Sequence, residues 1–307
     1  MNNKRHCSIC IRGCKTGDSF CHRRDENGDL IDNYGFCVCC VDHLFDKPII
    51  YFGKNEKVLS IGSWGCNLRC LGCQNAALSC SVSGNHPVSI EMTPDQIVDM
   101  AVKYDCRGIC YTYNEPAILL ETIESIACKA KNAGLHNIFV SNSTLTEKSV
   151  RRIAGYIDAV AADIKSIHDV FYYVYCGAGG IPFVAKKILS CIKAFAIHGC
   201  HIEVRTNVIP GANDQKENLK AIASWIRDQL GSVTPWHITR FFPAHQLSDI
   251  KQTSTDSMLE AQRIGYEEGL QHVHTFFNRG CDCAKDTYHA NVEPEYGITP
   301  IINCCNN

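Results

Sequence analysis

The stretch VLSIGSWGCNLRCLGCQN, residues 58–75, carries two signals in succession. Its first part, VLSIGSW, is a short β-branched run around a glycine, which predicts a buried strand. Its second part, GCNLRCLGCQN, is a loop that holds Cys66, Cys70 and Cys73 within eight residues. A strand that opens straight into a polar loop reads as the start of a βα unit. Four thiolates close a structural zinc site or an ordinary four-iron cluster, so three point to a metal group with one open position. The plain alternatives are a zinc knuckle that borrows a fourth ligand from elsewhere and three unrelated thiols.

The alternation continues downstream. TPDQIVDMAVKYD begins with Thr93 as an N-cap, Pro94 at the first helical position and an acid next, followed by apolar residues at helical spacing. Buried strands are predicted in RGICYT (107–112), HNIFVSN (136–142), IDAVAADIK (157–165), HIEVRTNVIP (201–210) and PWHITRFF (235–242), with a last one in LQHVHTFFN (270–278). Helical patterns fall between them, near 117–133, 146–155, 182–198, 214–230 and 255–269. Six or seven such units in about 220 residues predict an α/β fold with a parallel sheet, a full or partial (βα)6-type TIM-like barrel. The barrel is expected over 58–278. A Cys-rich, metal-binding module is expected over 1–57 and a Cys-rich tail over 279–307.

Composition narrows the setting. Of 307 residues, 45% are hydrophobic and 20% charged, enough to bury a core of that size. A net charge of −2 predicts no general attraction to nucleic acid or to anionic membrane. The chain has no run of roughly 18 apolar residues, and its opening MNNKRHCSIC lacks the apolar core of a signal peptide, so a cytoplasmic protein is expected. Cysteine stands out, with 21 in the chain. In a reducing cytosol clustered thiols hold metal rather than disulfides, and so many exposed to oxidation suggest an anaerobic owner.

In a barrel of this kind chemistry gathers at the C-terminal ends of the strands. The polar motifs of this chain fall there: GCNLRCLGCQN after the first strand, YNEP after the second and SNS, with Asn142, after the third. DIK, with Asp163 and Lys165, ends the fourth; RTNVIPGAND, with Arg205 and Asn207, the fifth; and His237 and Arg240 end the sixth. Asp163 and Lys165 alternate, as do Arg205 and Asn207, so each pair shares one side of its strand. A buried ion pair is the plain alternative for Asp163 and Lys165, and a helix start for the Asn-Glu-Pro turn.

CNLRCLGC fits the CxxxCxxC motif of the radical S-adenosylmethionine (SAM) superfamily. The likeness extends to KPIIYFGKNEKVLSIGSWGCNLRCLGCQN, YTYNEP, VAADIK, VRTNVIPGAND, WHITRFFP and the opening HCSICIRGCKTGDSFCHRRDENGDL, roughly residues 6 to 278. Together these resemble the AmmeMemoRadiSam branch, relatives of the pyruvate formate-lyase activating enzyme. The resemblance implies a 4Fe–4S cluster on Cys66, Cys70 and Cys73 whose open iron is chelated by the methionine moiety of S-adenosylmethionine. Reductive cleavage of that cofactor then gives a 5′-deoxyadenosyl radical that abstracts hydrogen from a substrate. YNEP takes the place of the superfamily's GGE motif, which sets Asn114 and Glu115 toward the methionine amino group. Asn142, Asp163, Lys165, Arg205, Asn207, His237 and Arg240 are implied as further cofactor contacts. One residue departs from the pattern. The position before the third cysteine is usually aromatic and packs beside the adenine, whereas this chain has Gly72.

The flanking cysteines invite their own reading. Cys7, Cys10, Cys14 and Cys21 suffice for a closed four-thiolate site, for which zinc and an auxiliary iron–sulfur cluster both fit. Cys37, Cys39 and Cys40 offer a replacement or added ligand. The branch commonly closes with a TYC..C-like element, where this chain has DTYHAN with His289. Cys281, Cys283, Cys304 and Cys305 offer a third site instead. Most remaining cysteines read as small core residues, but Cys176, in the Gly-rich VYCGAGG, is a candidate hydrogen-atom donor.

The resemblance implies an oxygen-sensitive enzyme that takes electrons from flavodoxin or ferredoxin and modifies a peptide or protein residue, alongside partner proteins of the Memo and AMMECR kinds. Activation of a glycyl-radical enzyme is the alternative within the same chemistry. A non-catalytic iron–sulfur electron carrier or scaffold is the alternative of another class; it explains the cysteines but not the polar residues at the strand ends.

Overall fold

β-Branched runs and capped helices alternate as the pattern predicts, and they assemble into one dominant sheet. A computed structural model describes residues 6–82, 84–87 and 89–277. Cys281, Cys283, Cys304, Cys305 and His289 lie outside the described residues. The strands are β1 (Gly35–Phe36), β2 (Val38–His43), β3 (Lys57–Gly62), β4 (Ile90–Glu91), β5 (Gly108–Tyr111), β6 (His136–Ser141), β7 (Ala159–Asp163), β8 (His201–Val208), β9 (Trp236–Arg240) and β10 (Val273–Phe276). The helices are α1 (Ala76–Ser79), α2 (Pro94–Lys103), α3 (Leu120–Asn132), α4 (Glu147–Ile153), α5 (Asp169–Tyr175), α6 (Val184–Ile197), α7 (Lys216–Gln229) and α8 (Thr255–Glu267).

Eight strands form the main sheet in the order β10-β9-β8-β7-β6-β5-β3-β2. From β3 to β10 neighbours pair in parallel, while β2 pairs antiparallel to β3. Parallel neighbours joined by helices make a TIM-like partial barrel, and among the described residues its two edge strands are not paired with each other. Thr93 caps α2 as its sequence predicts: its hydroxyl accepts from the Gln96 amide at 3.3 Å, and Gln96 Oε1 accepts from the Thr93 amide at 2.8 Å.

Strand alternation divides the core. On β7, Val160 and Ala162 belong to the large cluster shared with the outer helices, including Ile97, Ile123, Val150 and Phe195. Ala159 and Ala161 face the other way, into the barrel with Val58, Cys110 and Ile138. Leu44 and Ile49 pack against that inner group, so the segment after β2 fills the N-terminal end of the barrel. Each large aliphatic side chain buried this way contributes about 1.5–3 kcal/mol.

That filling segment is pinned by Glu203, whose side chain is fully buried. Its carboxylate accepts backbone N–H groups of Ile50 at 2.9 Å, Tyr51 at 2.8 Å and Phe52 at 3.1 Å. His201 Nε2 lies 3.0 Å from one oxygen and His237 Nε2 2.5 Å from the other. Burial alone would raise this carboxyl, but the bonds from His201, His237 and the Ile50 amide outweigh it and hold it down at about 2.

The residues before 57 are bound closely to the barrel. Besides the β2–β3 pairing, Arg23 is fully buried, donates to Ser63 Oγ at 2.9 Å and to the Asp32 carbonyl at 2.7 Å, and lies over the Trp64 ring. Arg24 grips Glu121 on α3 with two bonds of 2.8 Å. No helix among the described residues is long and apolar enough to cross a membrane.

Candidate active site

The loop after β3 turns sharply because Gly65 takes a φ of +84°, a conformation that costs other residues. A β-carbon there would also lie 2.9 Å from the Cys21 carbonyl oxygen. The turn is held from the next strand end. Asn114 Oδ1 accepts the Ser63 amide at 2.9 Å, and its Nδ2 donates to the carbonyls of Trp64 and Gly65 at 3.3 and 3.1 Å. Arg69 folds back to donate to the Cys66 carbonyl at 2.7 Å, and Arg12 donates to the Asn67 carbonyl at 2.9 Å. Asn114, expected at the cofactor, thus has its side chain engaged with the cysteine loop.

Cys66 is buried and Cys70 and Cys73 partly so. Burial raises the Cys66 thiol well above its ordinary value, and Glu115, Cys70 and Cys73 add to the rise. Burial with Cys70 as neighbour lifts Cys73 to about 11. A thiolate at Cys70 thus disfavours thiolates at Cys66 and Cys73, a conflict that bound iron would relieve. Sulfur-directed donors are in place: the Leu68 amide lies 3.4 Å and Asn142 Nδ2 3.8 Å from Cys66 Sγ. Among the described residues no three Cys, His, Asp or Glu side chains converge on one point as a single ion requires. A four-iron cube spreads its ligands more widely, and three thiols on one loop fit it.

Cys70 differs from its neighbours. A hydrogen bond with Cys176 lowers its thiol, and Lys165 adds to this against the effect of burial. Two backbone bonds bracket it, Arg69 N to Cys176 O at 2.9 Å and Leu71 N to Tyr175 O at 2.8 Å. Cys176 is buried, and its own thiol is raised well above the ordinary value, first by that bond to Cys70 and then by burial.

Glu115 sits beneath this group, 3% exposed. Its carboxylate accepts the Ser141 hydroxyl at 2.7 Å, the Asn142 amide at 2.9 Å and the Ala117 amide at 2.9 Å. Burial nevertheless lifts the carboxyl to about 7, so a nearby cation would decide its charge at neutral pH. Asp163 accepts from Lys165 at 2.7 Å and from Arg205 at 2.6 Å, and these two cations hold its carboxyl low despite burial. Asp163 in turn raises the Lys165 ammonium against the effect of burial, with help from Cys70 and Cys176.

The structure thus brings Cys66, Cys70, Cys73, Asn114, Glu115, Asn142, Asp163, Lys165, Cys176 and Arg205 into one connected group. It turns the remaining expected residues elsewhere. Asn207 ties two strand ends, donating to the Arg240 carbonyl at 3.0 Å. Arg240 donates to Thr255 Oγ1 at 2.9 Å, beside a cavity of about 420 Å3 that Lys251 also lines. His237 has no exposed surface and is bonded to Glu203, because only its Nε2 finds a polar partner inside the barrel. In the N-terminal module burial, with Cys7 and Cys21 as neighbours, lifts the Cys10 thiol to about 11, and burial, with Cys14 and Cys7 nearby, raises that of Cys21. The Cys7 amide donates to the Cys14 carbonyl at 2.7 Å.

Sequence reading missed a second polar group inside the barrel. Tyr113, with a φ of +69°, directs its hydroxyl to Asp42 Oδ2 at 2.9 Å and Cys40 Sγ at 2.6 Å. Lys47 Nζ joins Asp42 at 2.5 Å. The only local signal was the position of Tyr113 directly before the Asn-Glu-Pro turn; nothing near Lys47 or Asp42 marks them.

Residues 61–222 match the family model described as the Radical SAM superfamily. An uncharacterized protein of Methanocaldococcus jannaschii is 33% identical over 89% of this chain and 81% of its own. The (2S)-3-sulfopropanediol dehydratase activating enzyme of Klebsiella oxytoca is 23% identical over 83% of this chain and 80% of its own. The pyruvate formate-lyase-activating enzyme of Clostridium pasteurianum is 23% identical over 68% and 88%. Among solved structures, a radical SAM methyltransferase from Sphaerobacter thermophilus superposes with a TM-score of 0.56 at 12% identity, covering 74% of this chain and 68% of that one.

Proposed function

The chain belongs to the radical SAM superfamily, and from that premise we propose that it abstracts a hydrogen atom from a residue of a peptide or protein. It is an enzyme that uses a 4Fe–4S cluster and S-adenosylmethionine. When bound, the cluster supplies an electron and S-adenosylmethionine the 5′-deoxyadenosyl group that takes the hydrogen.

Cys66, Cys70 and Cys73 hold the cluster. The observation that carries this reading is their meeting, on one braced loop, with Glu115, Asn142 and the Asp163–Lys165–Arg205 network. Glu115 lies under the loop with its carboxyl lifted to about 7, so an ammonium group beside it would keep it ionised. Asn114 sets the loop's height, and Asn142 donates toward Cys66. Lys165 and Arg205 balance Asp163 and leave cationic groups for a carboxylate. Cys176 gives Cys70 a thiol hydrogen bond. Asn207, Arg240 and His237 act at one remove, holding the ends and floor of strands β8 and β9. For Cys7, Cys10, Cys14 and Cys21 we propose a second metal group, and the tail cysteines offer a third site. An auxiliary cluster suits the second group better than a single zinc ion, because among the described residues no three such side chains converge on one point.

Within this chemistry, activation of a glycyl-radical enzyme is a second reading, favoured by relatives named as activating enzymes. Against it, the extra cysteines precede the CxxxCxxC loop instead of following it. The AmmeMemoRadiSam branch remains our assignment, with Memo-like and AMMECR-like partners and a cytoplasmic setting. The test is anaerobic reconstitution followed by dithionite and S-adenosylmethionine. We expect 5′-deoxyadenosine from the wild type and none from Cys66→Ala. A stable cluster with no 5′-deoxyadenosine from either would make the chain an electron carrier or scaffold.

A further inference from the structure

Helix α5 has two unlike faces. Phe171 and Tyr172 are buried, and the Tyr172 hydroxyl accepts the Lys165 amide at 3.2 Å. On the other side Val170 is 68% exposed, Val174 55% and Tyr173 40%, an apolar face at helical spacing turned outward. Phe183 continues this surface at the start of α6, to which α5 is tied: Asp169 Oδ1 accepts the Ala185 amide at 2.8 Å, and the Tyr173 hydroxyl donates to the Ile181 carbonyl at 3.1 Å. Phe183 is 68% exposed and has a left-handed backbone, φ +54°. A bulky residue held in that conformation with its ring in solvent gains nothing from its own fold, which makes it a mark of function.

The patch backs onto the cluster loop. Val174 is followed by Tyr175, whose carbonyl accepts the Leu71 amide at 2.8 Å, and Leu71 follows Cys70. One hydrogen bond and two short backbone steps thus separate the exposed face from a proposed cluster ligand. The direct path crosses one helix, about 10 Å. The rim is cationic. Lys186 and Lys187 lie on the first turn of α6, and Arg12 donates to the carbonyls of Gly177 and Gly179 beside it at 2.9 and 3.3 Å. The one carboxylate of α5, Asp169, is committed to capping α6.

We infer that the Val170–Val174–Phe183 face is the docking surface for a small acidic protein that carries one electron. This rests on the proposed radical SAM function. An apolar centre with a rim of opposite charge suits a transient protein partner, and the path behind it leads to Cys70. The step moves one electron: the carrier is oxidised by one electron and the cluster reduced by one, with no bond or proton transferred.

The test compares two reductants on the anaerobically reconstituted full chain, reading the reduced cluster by freeze-quench electron paramagnetic resonance. Reduced flavodoxin is the protein probe and dithionite the small one. Val174→Asp, Phe183→Asp and the pair Lys186→Glu/Lys187→Glu should each slow reduction by flavodoxin at least tenfold. All three should leave reduction by dithionite within twofold of the parent. The parent's rate with flavodoxin should also fall as salt rises, and the charge-reversed pair should lose that dependence. Unchanged rates with flavodoxin, or equal slowing with both reductants, would overturn the assignment. A parent chain whose cluster dithionite fails to reduce overturns the functional reading itself, and the docking face with it.

Discussion

The ring of Phe241 stands where a side chain at position 72 would go. A β-carbon on Gly72 would lie 2.9 Å from Phe241 Cε2 and 3.2 Å from Leu247 Cδ1. Phe241 is 1% exposed, and its amide is fixed by Thr253 Oγ1 at 2.8 Å. The Gln246 amide donates to the Leu71 carbonyl at 2.9 Å, which ties the same segment to the cysteine loop. The aromatic ring that the motif lacks is thus replaced, as packing, by a ring from the end of β9.

This exchange predicts a swap. Gly72→Phe alone should clash and lower bound iron and sulfide several-fold. Phe241→Ala alone opens a buried space, at a cost of about 3–5 kcal/mol. The double variant Gly72→Phe/Phe241→Ala should recover at least half of the parent's iron. Additive losses in the double variant would show that the two positions do not share one space.

Acid should loosen the barrel floor through Glu203. Its carboxyl is held at about 2 in the fold, below an ordinary 4.5. A depressed carboxyl gives stability that is present above the ordinary value and lost as pH falls from about 4.5 toward 2. The shift corresponds to roughly 3 kcal/mol at neutral pH. Glu203→Gln should therefore melt well below the parent at pH 7, and the gap should narrow as pH falls through 4.5. Thermal unfolding of both chains across that range checks it, and a gap independent of pH would refute the role.

Arg23 predicts that the N-terminal module and the barrel hold together as one unit. Arg23→Ala leaves Ser63 Oγ and the Asp32 carbonyl without the guanidinium, at a cost of about 1–3 kcal/mol for each group stranded in the interior. Limited proteolysis should then cut within residues 6–57 much faster than in the parent. Equal cutting rates would mean the module is held by other contacts.

Much of this was legible in the sequence, for reasons that are local. The α2 cap, the apolar strand runs and the spacing of Cys66, Cys70 and Cys73 each depend on residues a few positions apart. The missed features depend on partners far away. Glu203 meets Ile50 across 153 residues, and no pattern near either predicts it. Strand β2 lies in the segment expected only as a Cys-rich module, because its pairing partner, β3, lies almost wholly beyond that segment in the chain. Gly72 was visible as a departure, but only folding reveals that Phe241 answers it. His237 was read as part of the strand-end group, yet a histidine's environment is set by what the barrel encloses, here Glu203.

The central claim is that three thiolates hold a cluster with one iron left open for S-adenosylmethionine. Electron paramagnetic resonance of the dithionite-reduced chain, with and without S-adenosylmethionine, tests it most directly. The account predicts a 4Fe–4S signal component that changes when the cofactor is added. This cofactor-sensitive component is absent when Cys66, Cys70 and Cys73 are all replaced by Ala, whether or not an auxiliary cluster contributes a second component. A signal with no component that responds to the cofactor, or a responsive component that survives the triple replacement, would contradict it.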